Sequence, residues 1–215
     1  MIKKGIFILS SLLFAASVYA APLKLMVYGD SLSAGYQLPQ DDSFYTQLEK
    51  SLQSEGENVR VLDYSKSGET SEGGVAKVTA ALDMEPDAVL LELGINDILH
   101  GVSVTATQKN LQKIIDAFKE KEIPVLLVGM EAPVLMDLSY RKSFKNMYQF
   151  LAQKNDLMLY PFFMNGLWND NGKHKDYAYF LSDLVHPSAQ GVAIITKNIL
   201  PTVKKFLKIH FPDRK

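Results

Sequence analysis

Leu23-Lys24-Leu25-Met26-Val27-Tyr28-Gly29-Asp30-Ser31-Leu32-Ser33 is an apolar run that breaks abruptly into a glycine, an acid and a serine. Its first six residues read as a β-strand, and Gly29 opens the turn that leaves it. Four comparable runs follow: Asn58 to Tyr64, Asp87 to Leu93, Val125 to Met130 and Leu157 to Phe162. Between them the apolar period changes. Phe44, Leu48 and Leu52 recur every four residues, and Leu111, Ile114, Ile115 and Phe118 follow the i, i+3, i+4, i+7 template of a helix face. Tyr140, Phe144, Met147, Tyr148 and Leu151 repeat that signal, and a last helical stretch starts after Pro187 and runs to Ile209, with Pro201 marking a break or a new first turn. Strands alternating with helices predict an α/β fold whose parallel strands are joined by crossover helices. Strands this continuously apolar need helices on both faces, which gives a three-layer α/β/α sandwich around a five-stranded parallel sheet. No internal repeat, low-complexity segment or long linker interrupts the pattern, so one domain accounts for it.

Composition narrows the function classes. The chain has 215 residues with no cysteine, 23 basic and 24 acidic side chains, 47% hydrophobic residues and 22% charged ones. Without cysteine, disulfides and thiolate metal sites are excluded. A balanced charge carries no footprint for nucleic acid. The first twenty residues form a separate unit: Lys3 and Lys4 precede an apolar run from Ile6 to Ala16, and Val18-Tyr19-Ala20 supplies a small-residue cleavage pattern. They read as a secretory signal cut after Ala20, because the run is too short to span a bilayer comfortably. Residues 1–20 are thus expected to be a signal peptide and 21–215 the single domain, in a periplasmic or secreted protein without stable membrane insertion. Loss of Lys3 and Lys4 takes the formal charge from −1 to −3.

In a doubly wound sheet, ligands bind beyond the carboxyl ends of the strands, so polar residues just after each apolar run are the candidates for chemistry. Ser31 stands at such a strand-to-helix turn, where a hydroxyl can project clear of the backbone. The segment lacks the lysine and spacing of GxxxxGK[ST] and the second glycine of GxSxG. By itself Gly29 to Ser33 fits a nucleophile turn and an ordinary Gly/Ser turn equally. Ser67-Gly68-Glu69-Thr70 follows the second run and Gly94-Ile95-Asn96-Asp97 the third. The Gly68 N–H, the Asn96 amide and the Ser31 N–H could converge on one ligand atom, although Gly and Asn serve plain turns as well.

Near the end of the chain Ser182-Asp183-Leu184-Val185-His186-Pro187 sets an acid and an imidazole three residues apart. The carboxylate of Asp183 can then accept from Nδ1 of His186 and leave Nε2 free to take a serine proton. Pro187 biases His186 toward an extended backbone and fixes the loop. Asp97 and His100 share the same spacing, but Asp97 follows a strand directly and reads better as a helix cap. His174 and His210 have no comparable setting and read as solvated surface residues. After the fourth run, Val134, Leu135, Met136 and Leu138 make an unusually apolar segment at the catalytic end of the sheet, which fits an acyl-binding surface and a buried helical turn equally well.

Four blocks in order, GDSLSAGY at Gly29 to Tyr36, SGETS at Ser67 to Ser71, ELGIND at Glu92 to Asp97 and DLVHP at Asp183 to Pro187, resemble the SGNH, or GDSL-type, hydrolases. The tract Tyr160 to Met164 resembles the exported esterase branch of that family, which includes multifunctional acyl-CoA thioesterase/lysophospholipases and arylesterases. The similarity covers nearly all of residues 21–215, and it implies the flavodoxin-like variant of the sandwich. It further implies that Ser31 is the nucleophile, His186 the general base and Asp183 its orienter, with the Ser31 N–H, Gly68 N–H and Asn96 amide as oxyanion hole. Asp63 departs from the pattern, since many relatives carry asparagine ahead of the second-block glycine. The implied activity is hydrolysis of small-molecule acyl esters, with thioesters and lysophospholipids among them, needing no metal and no organic cofactor. Carbohydrate O-deacetylation is the alternative within this fold, and a catalytically silent binding module the alternative outside enzymes.

Overall fold

The computed structural model describes residues 21–168 and 173–213, so the expected signal peptide lies outside the described residues. Five parallel strands, β1 (Leu23–Tyr28), β2 (Val59–Asp63), β3 (Ala88–Leu91), β4 (Val125–Val128) and β5 (Met158–Tyr160), form one sheet in the order β2-β1-β3-β4-β5. The strands coincide with the five apolar runs: β1 has the bounds of its run, and the other four are shorter at one or both ends. β1 lies inside the sheet, pairing with β2 from Leu23 opposite Val59 and with β3 from Leu25 opposite Ala88. Burial on both faces from Leu25 onward explains why Lys24 is the one charged residue in its sequence.

The chain leaves β1 toward β2 in one direction and returns past it to β3, β4 and β5 in the other. Right-handed crossovers therefore place helices on opposite faces. α2 (Phe44–Ser54) and the long α7 (Ala189–His210) pack together on one face, while α3 (Ser71–Leu82), α5 (Val104–Lys119) and α6 (Leu138–Asn155) cover the other. Phe44, Leu48 and Leu52 are fully buried on α2, as are Leu111, Ile114, Ile115 and Phe118 on α5. α3 gives a weak amphipathic signal because Gly73, Gly74 and several alanines fill it. Gly74 is there for proximity: a Cβ at this position would come within 2.8 Å of Leu93 and 2.9 Å of Ile114.

One expectation is corrected. Pro201 neither ends nor restarts the last helix, which continues through it. Val192, Ile195, Ile199, Val203 and Phe206 keep helical spacing on both sides of the proline and are all buried, whereas Pro201 itself is exposed. Burial of that stripe against α2 outweighs the roughly 3 kcal/mol that an interior proline costs a helix. Strand order reverses between β1 and β3, and the loops leaving β1, β2 and β3 accordingly meet at one end of the sheet.

Candidate active site

At the carboxyl end of β1 the backbone turns directly into a one-turn helix, α1 (Ser31–Ala34). Asp30 is its N-cap, and its carboxylate accepts the Leu32 N–H at 2.9 Å. Ser31 is thereby the first helical residue, with Oγ 2.9 Å from Nε2 of His186. Nδ1 of the same ring lies 2.7 Å from Oδ2 of Asp183. A carboxylate only accepts, so the Nδ1 position carries the proton and Nε2 is the bare acceptor facing the hydroxyl. The other oxygen of Asp183 accepts the Val185 and His186 N–H groups at 2.9 and 3.0 Å. Burial pushes the Asp183 carboxyl up, but these two N–H donors and the imidazole outweigh it and hold it below the usual carboxylate value. It is therefore ionised at neutral pH.

The second and third turns close on this line. Gly68 has φ 79°, a left-handed backbone that a side chain disfavours, and a Cβ there would meet nothing within 4 Å. Backbone conformation, not crowding, demands glycine. Asp63 accepts the Ser65 N–H at 2.9 Å, a turn that asparagine could make equally well, so this departure leaves the Gly68 loop supported. Among the described residues, neither the Ser31 nor the Gly68 N–H donates to a protein acceptor. Asn96 lies in the first turn of the short α4 (Ile95–Leu99), and its amide donates to Asp30 Oδ2 at 3.1 Å and to the Glu69 carbonyl at 2.9 Å. Both amide hydrogens are engaged, and an oxyanion would have to draw one away. Asp97 is buried and accepts the Ser71 N–H at 2.8 Å, the Ser71 hydroxyl and the Thr107 hydroxyl, so it anchors the start of α3. Its spacing partner His100 is exposed at the end of α4 and takes no part.

A family model described as the GDSL-like Lipase/Acylhydrolase family matches residues 27–194. The chain belongs to that family. It is 33% identical to "Esterase TesA" of Pseudomonas aeruginosa over 87% of its own length and 91% of that protein's. It is 34% identical to "Thioesterase 1/protease 1/lysophospholipase L1" of Escherichia coli over 76% and 82%. Among solved structures, the esterase EstA from Pseudoalteromonas sp., inhibited by monoethylphosphonate, superposes with a TM-score of 0.79 at 28% identity, covering 86% of this chain and 98% of that one.

Several groups around the acylhydrolase site escaped the sequence reading. Tyr36, the last residue of the GDSLSAGY block, lays its ring over His186 with 4.3 Å between centroids. His174 is not a solvated surface residue: it is half-buried among Trp168, Tyr177 and Phe180. Glu92 lies beneath α1, fully buried, accepting the Ser33 hydroxyl at 2.8 Å and the Asp30 N–H at 3.4 Å, with Oε1 unpartnered. An acid just past the last residue of β3, amid Leu91 and Leu93, was the available signal. The expected apolar loop after β4 is mostly exposed, Leu135 at 95%, with Met136 alone half-buried against the core. Core packing therefore does not explain Val134, Leu135 or Leu138.

Two buried carboxyls under one serine do not both ionise easily. Burial, opposed by the Leu32 N–H and reinforced by the charges of Asp97 and Glu69, pushes Asp30 up to about 7. Burial and the neighbouring Asp30 raise Glu92 well above its ordinary value, against the bonds from Ser33 and Asp30 N–H. Asp30 has two good donors and Glu92 an unpartnered oxygen, so Glu92 keeps its proton to the higher pH. The unfolded chain releases both protons near pH 4. Above that, the folded state binds more protons than the unfolded one, and stability falls as pH rises through 7, by up to about 1.4 kcal/mol per pH unit for each proton retained. Glu92→Gln, which keeps the shape and cannot ionise, should melt increasingly higher than the native protein as pH is raised from 4 to 8. A constant difference in Tm across that range would show that Glu92 titrates normally.

Proposed function

We propose that this acylhydrolase cleaves carboxylic esters through an acyl-enzyme on Ser31. The observation that carries the proposal is the continuous hydrogen-bonded line from Ser31 Oγ through His186 to Asp183. Ser31 Oγ attacks the carbonyl carbon while its proton passes to His186 Nε2, and the imidazolium formed is held by the ionised Asp183. Charge accumulates on the former carbonyl oxygen, where the free Ser31 and Gly68 N–H groups and the Asn96 amide stabilise it. The longer Asn96 bond, to Asp30, is the one that yields. His186 then returns the proton to the departing alkoxide or thiolate. Water, deprotonated by the same nitrogen, attacks the acyl-serine; the acid leaves and Ser31 is regenerated.

Acyl thioesters and lysophospholipids belong to the proposed substrate class, supported by the name of the Escherichia coli relative and by the apolar loop at the catalytic end of the sheet, in which Val134, Leu135 and Leu138 are exposed and Met136 half-buried. A long acyl chain needs such a surface to leave water. Residues 1–20 act as an export signal and residues 21–215 as a single hydrolase domain; the Lys3/Lys4 flank and apolar run support the signal. No helix among the described residues is long and apolar enough to cross a membrane.

Ser31→Ala and His186→Ala should lower kcat on the order of 10⁶-fold and Asp183→Asn about 10⁴-fold, with His100→Ala near native. Asn96→Ala should cost roughly 10²- to 10³-fold in kcat with little change in KM. High activity in His186→Ala would remove it as the base. Across p-nitrophenyl esters of rising acyl length, kcat/KM should climb by up to ~0.8 kcal/mol per methylene, and Leu135→Ser with Met136→Ser should flatten the climb while sparing the acetate ester. Equal losses on short and long esters would take the loop out of substrate binding. Mass spectrometry of protein recovered from the periplasm or medium should find Ala21 at the amino terminus; an intact Met1 there would contradict cleavage.

A further inference from the structure

The loop that carries Asp183 and His186 contains an unfavourable backbone. Leu184, between them, has φ 56°, in the left-handed region that a leucine adopts only when its surroundings enforce it. The Leu184 side chain is 41% exposed, so core packing does not hold it there. Two backbone bonds help, Leu184 N–H to the Leu181 carbonyl at 2.9 Å and Leu181 N–H to the His186 carbonyl at 2.8 Å. The Leu184 carbonyl itself is gripped from outside the loop, 2.9 Å from Nε2 of His174. A carbonyl only accepts, so this contact requires the proton on Nε2.

His174 is built for a fixed direction. Its ring lies against Trp168 and against the edge of Phe180, each with 4.3 Å between centroids, and Tyr177 stands 5.3 Å away. Its backbone forms a bridge with Trp168, and the next residue, Lys175, donates to the Leu167 carbonyl at 2.9 Å. Phe180 in turn bridges Pro187, the residue after His186. One aromatic cluster thus grips the loop on both sides of the imidazole.

We infer that His174 is a positioning residue, whose Nε2–H holds the Leu184 carbonyl and so keeps the left-handed turn on which Asp183 and His186 face each other. This rests on the catalytic reading of Ser31, His186 and Asp183. Without the clamp, Leu184 relaxes toward negative φ, and the carboxylate and imidazole lose the alignment that proton transfer needs. The Nε2–H of His174 is committed to the Leu184 carbonyl, so the expected loss falls on kcat and not on KM.

Two substitutions separate the hydrogen bond from the packing. His174→Phe keeps an aromatic ring in the cluster and removes the donor; His174→Gln sacrifices the ring and places an amide N–H near the same point. On p-nitrophenyl acetate, with active sites counted by fluorophosphonate labelling, His174→Phe should lower kcat on the order of ten- to a hundredfold at unchanged KM, and His174→Gln should recover most of that loss. Native kcat in His174→Phe, or equal kcat losses in both variants, would overturn the inference. Should a variant fail to fold, nitrogen-15 NMR of the native protein decides: the proton of neutral His174 must reside on Nε2, and a proton on Nδ1 would overturn it. Ser31→Ala in the same assay keeps the two readings apart. Full activity there defeats the triad, whereas an inactive Ser31→Ala beside a fully active His174→Phe defeats only the clamp.

Discussion

Asp30 is a single buried carboxylate on which two turns of the site converge. One oxygen caps the helix that begins with Ser31, and the other receives the amide of Asn96 from the loop after β3. The first and third strands are neighbours in the sheet, and Asp30 is the acceptor that their loops share. Asp97 performs the same task one layer out, joining α4 to the start of α3 and hence to the Gly68 turn. Two buried acids thus set the spacing between Ser31, Gly68 and Asn96. Burial raises the affinity of Asp30, and of Glu92 beneath it, for protons, so the preorganised site opposes folding more strongly as the medium becomes alkaline.

The parts of this architecture that depend on side-chain periodicity were legible in the sequence. Strands buried on both faces have to be apolar throughout, and α2, α5 and α6 bury one stripe each, so their positions followed from hydrophobic spacing alone. α3 was not legible, because Gly73, Gly74 and its alanines carry little amphipathic contrast and the helix is held by close approach to Leu93 and Ile114. Pro201 misled because proline's local penalty is a property of the residue, whereas the burial that overrides it belongs to a helix face completed by α2.

The site divides along the same line. Block order and the three-residue spacing of Asp183 and His186 pointed to side chains that the fold brings into hydrogen-bonding reach of Ser31, and the identical spacing of Asp97 and His100 did not mislead. What the spacing could not reveal was support from elsewhere in the chain. Glu92 contacts Ser33 across 59 residues of sequence, and His174 reaches Leu184 from a neighbouring loop. Such contacts leave no periodic trace, and a histidine flanked by two lysines looks like a solvent-facing residue until Trp168 and Phe180 are seen on either side of it.

Ser31 and the imidazole that faces it are 155 residues apart, and α7, which follows that imidazole, packs on α2 near the start of the domain. Chain order therefore acts as a timer. A ribosome that has completed all five strands has produced the serine, both turn donors and most of the core, yet the partner of the serine is still missing. Closing α7 onto α2 is a long-range event that comes late in synthesis. On the proposed role of Ser31, reactivity arises only when the two ends of the domain have met, and the appearance of activity would mark the completion of its tertiary structure.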